Sequence, residues 1–249
     1  MPLSHTIHVR FYGVLRDFLD APLRNRRFTY VIKGCPSIKD TLEAIGVPHV
    51  AIDVIFVNKV PADFSRQLSE GDEIRVYPKG HPFKQRTVLH LQTQPPAFRF
   101  VIDSHLGKLV RHLRLLGFDS QYKTVFPDRE IARTAVRERR IVLTRDKGLL
   151  KYKCLKWAYW VRSSDPQKQI REVIKYFGLQ KHLRPFTLCV ECNGKIWPVA
   201  KAKVQAQLPP KTRVFFKRFY RCRQCRRIYW KGSHYARLSR FIRKLKKKA

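Results

Sequence analysis

Phe98-Arg-Phe-Val-Ile-Asp103-Ser-His-Leu106-Gly-Lys-Leu109-Val-Arg-His-Leu113-Arg-Leu-Leu-Gly117 is the stretch on which the reading of this chain turns. Phe98 to Ile102 is a short apolar run stopped by an acid, the pattern of a buried strand. Leu106, Leu109, Val110, Leu113 and Leu116 then recur at helical spacing, and Gly117 supplies the stop. The alternation continues. Ser120 to Val125 predicts a weak strand, and Pro127 and Asp128 open a helix with Ile131, Ala132, Ala135 and Val136 inward. Ile141 to Thr144 is a strand ending at Arg145-Asp146, with a short helix after it. Trp157 to Val161 is a fourth strand, ending at Ser163-Ser-Asp165-Pro166. A last helix turns Ile170, Val173, Ile174 and Phe177 to one side and stops at Gly178. Strands alternating with helices predict an α/β unit built on a parallel sheet with right-handed crossovers.

Upstream, residues 6–80 read as a separate small α+β unit. Ile7 to Tyr12, Phe28 to Ile32, Ile52 to Val57 and Glu73 to Tyr77 are strand-like, and Ser37-Ile-Lys-Asp40 resembles a capping box before a short helix. Strand-strand-helix-strand-strand is the order of a β-grasp fold, similar to the ubiquitin-like sulfur carriers. Here the chain runs on past Tyr77-Pro-Lys-Gly80 rather than ending in Gly-Gly, which argues against a carrier role. Pro82, Pro95 and Pro96 punctuate a linker. The expected organisation is 1–80 for the ubiquitin-like domain, 81–97 for the linker, 98–180 for the sheet unit, 181–235 for a cysteine module and 236–249 for a basic tail.

In open parallel sheets, sites form beyond the carboxyl ends of the strands. Asp103 ends the first strand, Asp128 and Glu130 open the helix after the second, Asp146 follows the third and Asp165 the fourth. Each connection thus puts a carboxylate on one rim. The chain holds only 18 acids against 53 Lys and Arg, so abundance does not account for the placement. Clustered carboxylates repel, and a hard cation such as Mg²⁺ or Mn²⁺ relieves them while activating water for phosphodiester hydrolysis. Asp128 and Asp165 are equally placed to cap helices, Asp146 to close a turn, and Glu130 to meet a helix dipole. Asp103 ends a strand where no cap is called for. Lys108, Arg111, His112 and Arg114 fall on the expected outer face of the first helix. Lys108 and Arg111, with Arg145, are candidates for gripping substrate phosphates.

Cys189-Val-Glu-Cys192 and Cys222-Arg-Gln-Cys225 are two CxxC pairs, and two such turns close a structural tetrahedral zinc site with no open position. The gap between them is longer than a ribbon needs, so residues 200–220 are expected to form an insertion. Cys35 and Cys154 stand alone and read as small buried or half-buried residues. From Cys192 to the end the chain has 19 Lys and Arg and no acid, and Phe215, Phe216, Phe219, Tyr220, Tyr229, Trp230 and Tyr235 are interleaved with them. Some of these rings are the module's core; exposed ones are placed to stack on unpaired bases. Arg240 to Ala249 fits a basic helix on a phosphate backbone, or a solvated tail.

A net charge of +35 points to nucleic acid, with binding that weakens as salt rises. There is no long apolar run or lipidation signal, so a membrane partner is not expected. Met1-Pro-Leu-Ser-His shows no charged segment before an apolar core, which sets the expectation of a cytoplasmic protein. Charge alone does not separate RNA from DNA.

Phe100-Val-Ile-Asp103, Leu106-Gly-Lys-Leu109, Leu113-Arg-Leu-Leu-Gly117, Leu143-Thr-Arg-Asp146 and Arg162-Ser-Ser-Asp165-Pro166 together resemble the Mut7-C family. Arg184-Pro-Phe186, Cys189-Val-Glu-Cys-Asn-Gly194, Phe219-Tyr-Arg-Cys222-Arg-Gln-Cys225 and Tyr229-Trp-Lys-Gly-Ser-His234 extend the likeness. The resemblance covers nearly the whole chain, since residues 6–77 are similar to the ubiquitin-like domain that often precedes the family's nuclease part. It implies a PIN-like fold, a C-terminal zinc ribbon and metal-dependent ribonuclease activity. The family's acidic positions fall on Asp103, Asp146 and Asp165, with Asp128 and Glu130 matching a further acidic stretch. The implied cofactors are structural Zn²⁺ at Cys189, Cys192, Cys222 and Cys225, and catalytic Mg²⁺ or Mn²⁺ at Asp103, Asp146 and Asp165. The implied partner is RNA, with tRNA, rRNA and the ribosome among the candidates. A non-catalytic RNA- or ribosome-binding factor on the same scaffold is the alternative.

Overall fold

A computed structural model describes residues 4–83 and 88–247. Residues 84–87 of the expected linker and 248–249 of the expected tail lie outside the described residues. The chain divides into two compact units, one of residues 1–96 with 146–160 and the other of 97–145 with 161–249.

In the first unit, β1 (Ser4–Phe11) pairs antiparallel with β2 (Phe28–Lys33). Helix α1 (Ile38–Ile45) begins at Ser37, whose hydroxyl accepts the Asp40 N–H at 3.1 Å and donates to the Asp40 carboxylate at 2.7 Å, so the N-cap half of the expected capping box forms. β3 (Ile52–Val57) turns into β4 (Val60–Ala62), a strand the sequence did not announce, and β5 (Glu73–Pro78) completes the sheet. The order is β2-β1-β5-β3-β4, with β1 and β5 parallel at the centre. Ile7, Val9, Leu42, Ile55 and Val76 are fully buried between sheet and helix. Residues 90–92 dock on β3: His90 Nδ1 lies 2.8 Å from the buried Asp53 carboxylate, and the Leu91 N–H donates to the Asp53 carbonyl.

In the second unit, β6 (Phe100–Ile102) is wholly buried, as a strand covered on both faces must be. Helix α2 (Gly107–Leu115) follows, then β7 (Ser120–Tyr122), α3 (Asp128–Glu138) and β8 (Ile141–Thr144). β6 lies between β7 and β8 and is parallel to both. β7 is shorter than expected. Val136, expected inside, is 52% exposed, because α3 turns Ile131, Ala132 and Ala135 to the sheet instead. Residues 146–160, in the first unit, carry β9 (Ala158–Trp160), whose Trp160 ring packs 5.0 Å from Phe18. Cys35 and Cys154 are both exposed, against expectation: neither lies on a buried strand or helix face.

The second unit resumes at Val161, whose N–H donates to the Thr144 carbonyl. Helix α4 (Pro166–Phe177) packs on α2 through Ile170, Val173 and Ile174, and Gly178 in the left-handed region ends it. A three-stranded antiparallel sheet, β10 (Ile196–Val199), β11 (Phe219–Cys222) and β12 (Ile228–Trp230), forms the ribbon. The expected insertion between β10 and β11 holds short 3-10 turns and α5 (Pro210–Phe215). Val204 and Leu208 from it bury themselves against Phe219. Helix α6 (Ser233–Lys247) closes the described chain as a basic helix.

Candidate active site and metal centre

Asp103 lies just past β6, where its N–H donates to the Leu143 carbonyl of β8. The residue is 4% exposed. Thr144, at the end of β8, donates its hydroxyl to Oδ2 at 2.7 Å, and the Ser104 hydroxyl lies 3.2 Å from Oδ1. The His105 N–H reaches Oδ1 at 3.4 Å, so Asp103 does cap a turn, the short 3-10 helix Ser104–Leu106. Sequence reasoning missed this because such a turn leaves no periodic signature. All three donors are neutral. Among the described residues no basic side chain pairs with Asp103, which is unusual for a buried carboxylate.

The other candidates are less converged. Asp165 caps α4, accepting the Lys168 N–H at 2.8 Å. Burial pushes the His112 imidazole below its ordinary value, and the Asp165 charge opposes that; His112 Nδ1 is buried with no hydrogen-bond partner among the described residues. Glu130 is half exposed and pairs with Lys123. Asp128 is the first residue of α3 rather than its cap, which is Pro127. Asp146 belongs by its contacts to the first unit, where its Oδ1 accepts the Gly148 N–H at 2.7 Å. Among the described residues, no three carboxylates gather closely enough to form a ready ligand set.

Of the basic candidates, Lys108 is exposed on α2. Arg111 is drawn to Glu191 at 2.9 Å, and Arg145 donates to the Ser163 carbonyl at 2.9 Å. Arg114, expected on the outer face, is 5% exposed. Its guanidinium donates to the Ser120 carbonyl at 3.0 and 2.8 Å and to the carbonyls of Val190 and Glu191. Its long stem lets the charged head leave α2 and reach those carbonyls.

At the opposite end of the parallel strands, just before β7, lies a network that the sequence did not flag. Asp119 accepts from Arg140 at 2.9 and 3.0 Å and from Asn193 Nδ2 at 2.7 Å, while Asn193 Oδ1 accepts the Ser120 N–H. Burial works against the Asp119 charge, but these bonds outweigh it and hold the carboxyl below its ordinary value. Asn193 is the residue after Cys192, so the first cysteine turn is bonded directly to the sheet.

The four cysteine sulfurs lie within 4.8 Å of one another, with Cys189–Cys225 at 3.6 Å and Cys192–Cys222 at 3.3 Å. Zn–S bonds of about 2.3 Å place the sulfurs of a tetrahedral site about 3.8 Å apart, so the set fits zinc. Asn193 (φ 68°) and Arg226 (φ 62°), each following the second cysteine of its pair, take the left-handed bend that folds each turn around the centre. A Cβ on Gly194 would come within 2.9 Å of Cys222 Sγ, which fixes glycine there. Burial opposes ionisation of Cys192, but the Gly194 N–H and the neighbouring thiols overcome it and lower it to about 7. Burial raises Cys225 to about 12 and also raises Cys222. Tyr229 places its hydroxyl 3.0 Å from Cys189 Sγ, a second layer around the ligand.

A parallel α/β unit bonded through Asn193 to a zinc-ribbon-like cluster of four cysteines, close enough to hold one metal ion such as zinc, is the class that fold and site define. The chain belongs to the Mut7-C RNAse domain family, whose model matches residues 98–242, and residues 4–84 match the Mut7-C ubiquitin model. No curated protein matches the chain. Among the described residues no helix is long and apolar enough to cross a membrane.

Proposed function

We propose that the chain is an RNA-binding, divalent-metal-dependent ribonuclease built on a PIN-like sheet, acting in the cytoplasm. The observation that carries this is Asp103, a buried carboxylate with neutral donors and, among the described residues, no paired cation, at the rim where parallel sheets hold their ligands. Asp103 and Asp165 would hold Mg²⁺ or Mn²⁺, and Glu130, paired here with Lys123, is a further carboxylate for the same role. Asp146 is added on its place in the sequence alone. Such an ion supplies the charge that lowers the pKa of a water and steadies a phosphodiester under attack. The Thr144 hydroxyl keeps Asp103 Oδ2 oriented, and Lys108, Arg111 and Arg145 supply cations for phosphates. Loss of short RNA incubated with Mn²⁺, abolished in Asp103→Asn, is the expected result. RNA left intact by the purified chain, or cut equally by Asp103→Asn, rejects the reading.

A second reading, an RNA- or ribosome-binding factor without turnover, is favoured by one specific observation. Glu130 is committed to Lys123 and Arg111 to Glu191, while a +35 charge remains for phosphate contacts. It predicts salt-sensitive co-sedimentation with ribosomes or structured RNA, and a chain left free in low-salt gradients counts against it. Competition between matched RNA and DNA oligonucleotides separates the two nucleic acids.

A further inference from the structure

We infer that the zinc-ribbon-like region holds a pocket for one unpaired nucleobase, so that the nucleic acid it takes is single-stranded at that point. The inference rests on the nucleic-acid reading above and names the form of the ligand. The pocket is a cavity of about 460 Å³ between one face of the ribbon sheet, the 185–190 segment and α6. Phe186, Leu188, Tyr220, Tyr229 and Tyr235 give it apolar and aromatic walls, and Lys231 lies at its edge.

Three independent features point to a flat aromatic ligand carrying negative charge. The first is the wall itself. Tyr220 and Tyr229 stand directly opposite each other in the β11–β12 register, and the Tyr229 hydroxyl is spent on Cys189, which leaves its ring for the cavity. The Phe186 and Tyr235 rings lie 4.5 Å apart across a tilt of 34°.

The second is strain. Phe186 has φ 63°, a left-handed conformation that a bulky residue rarely adopts. It is held there because the N–H groups of Arg184 and Phe186 each donate at 2.9 Å to the last carbonyls of α2, Leu116 and Leu115. Strain kept by its surroundings, with a ring delivered to a cavity wall, is the pattern of a ligand-holding residue.

The third is charge. From Cys192 onward every charged side chain is cationic, and Lys231 lies 5.4 Å from the Tyr235 centroid. A ligand with an apolar ring and an anionic tail satisfies wall and surroundings together, which is the chemistry of a nucleotide in a strand.

The test is binding of the full-length, zinc-loaded chain to short labelled RNA without added magnesium or manganese, at moderate salt. The probes are a single-stranded oligomer, the same oligomer with its internal bases removed, and its duplex. The variants are Tyr235→Leu, which keeps an apolar filler, and Phe186→Gly, which accepts the left-handed backbone without strain. The expected result is roughly tenfold or greater preference for the base-bearing single strand over the abasic one, lost in both variants while abasic binding stays. Equal binding of base-bearing and abasic strands, or a preference surviving in both variants, overturns the inference. So does tighter binding of an acidic, aromatic peptide than of RNA, which assigns the pocket to a protein partner. Failure of the ribonuclease reading shows separately, as RNA left uncut with Mn²⁺ while the base preference persists.

Discussion

Replacing Gly117 by alanine should cost the second unit about 3–4 kcal/mol. Gly117 follows the last turn of α2 at φ 90°, where an L side chain costs about 1–2 kcal/mol. Its added Cβ would lie 2.1 Å from the Arg184 carbonyl oxygen and 2.8 Å from the carbonyl carbon. Both are backbone atoms, so relief requires moving the chain. Moving it breaks the two bonds by which Arg184 and Phe186 close the end of α2, each worth roughly 1 kcal/mol. Gly178 provides the control: it also caps a helix in the left-handed region, at φ 64°, but a Cβ there meets nothing within 4 Å. Gly178→Ala should therefore cost only the conformational part, about 1–2 kcal/mol. Urea denaturation of both variants, followed by tryptophan fluorescence, measures the difference. Because Arg184 leads into Cys189, Gly117→Ala should also surrender zinc to a chelator sooner. A loss below about 1 kcal/mol, or equal losses in the two variants, would refute the close-approach argument.

Thr144→Val removes the best donor to Asp103 at nearly constant volume; we expect a loss of about 1–2 kcal/mol and a sharp fall in metal-dependent RNA cleavage. Cleavage unchanged from wild type would detach Thr144 from the site. With Cys192 near 7 and Cys225 near 12, zinc must displace protons to bind, so its affinity should rise from pH 6 to pH 8. Calorimetry in buffers of different ionisation enthalpy reads the released protons, and none released would contradict the four-thiolate site. The lowered carboxyl of Asp119 contributes stability that is present above the ordinary carboxylate value and lost as pH falls through its folded value. Asp119→Asn should therefore flatten the acid limb of the stability profile below about pH 4, and an unaltered limb would locate that linkage elsewhere.

Much of the second unit could be read before its structure was known. β6 and β8 are apolar runs stopped by polar residues, and α2 and α4 carry their buried leucines, isoleucines and valines at regular spacing. The thiolate centre was the most legible part, since two CxxC turns encode their geometry locally. Arg114 was misread because helical periodicity locates a Cα, not the end of a side chain long enough to reach the carbonyls of Val190 and Glu191. Asp119 and Asn193 gave no signal, because their roles exist only when the cysteine turn meets the start of β7. Phe186 showed as part of a motif, but its left-handed backbone is imposed by α2, far away in sequence. Among the acids expected on the rim, partnership was not legible: Glu130 turns to Lys123, a choice between neighbours that spacing does not decide.

The C-terminal end of α2 can be completed only late as the chain is made. Its last carbonyls are closed by Arg184 and Phe186, and the buried Arg114 finds partners 76 and 77 residues further along. A chain emerging from the ribosome can form β6, α2 and β7 early, but that helix end stays open until the first cysteine turn has been synthesised. Completion of the α/β unit therefore waits on the segment that carries the first cysteine pair, and if those cysteines take up zinc, the supply of that ion during translation would set how much of the protein reaches its folded form.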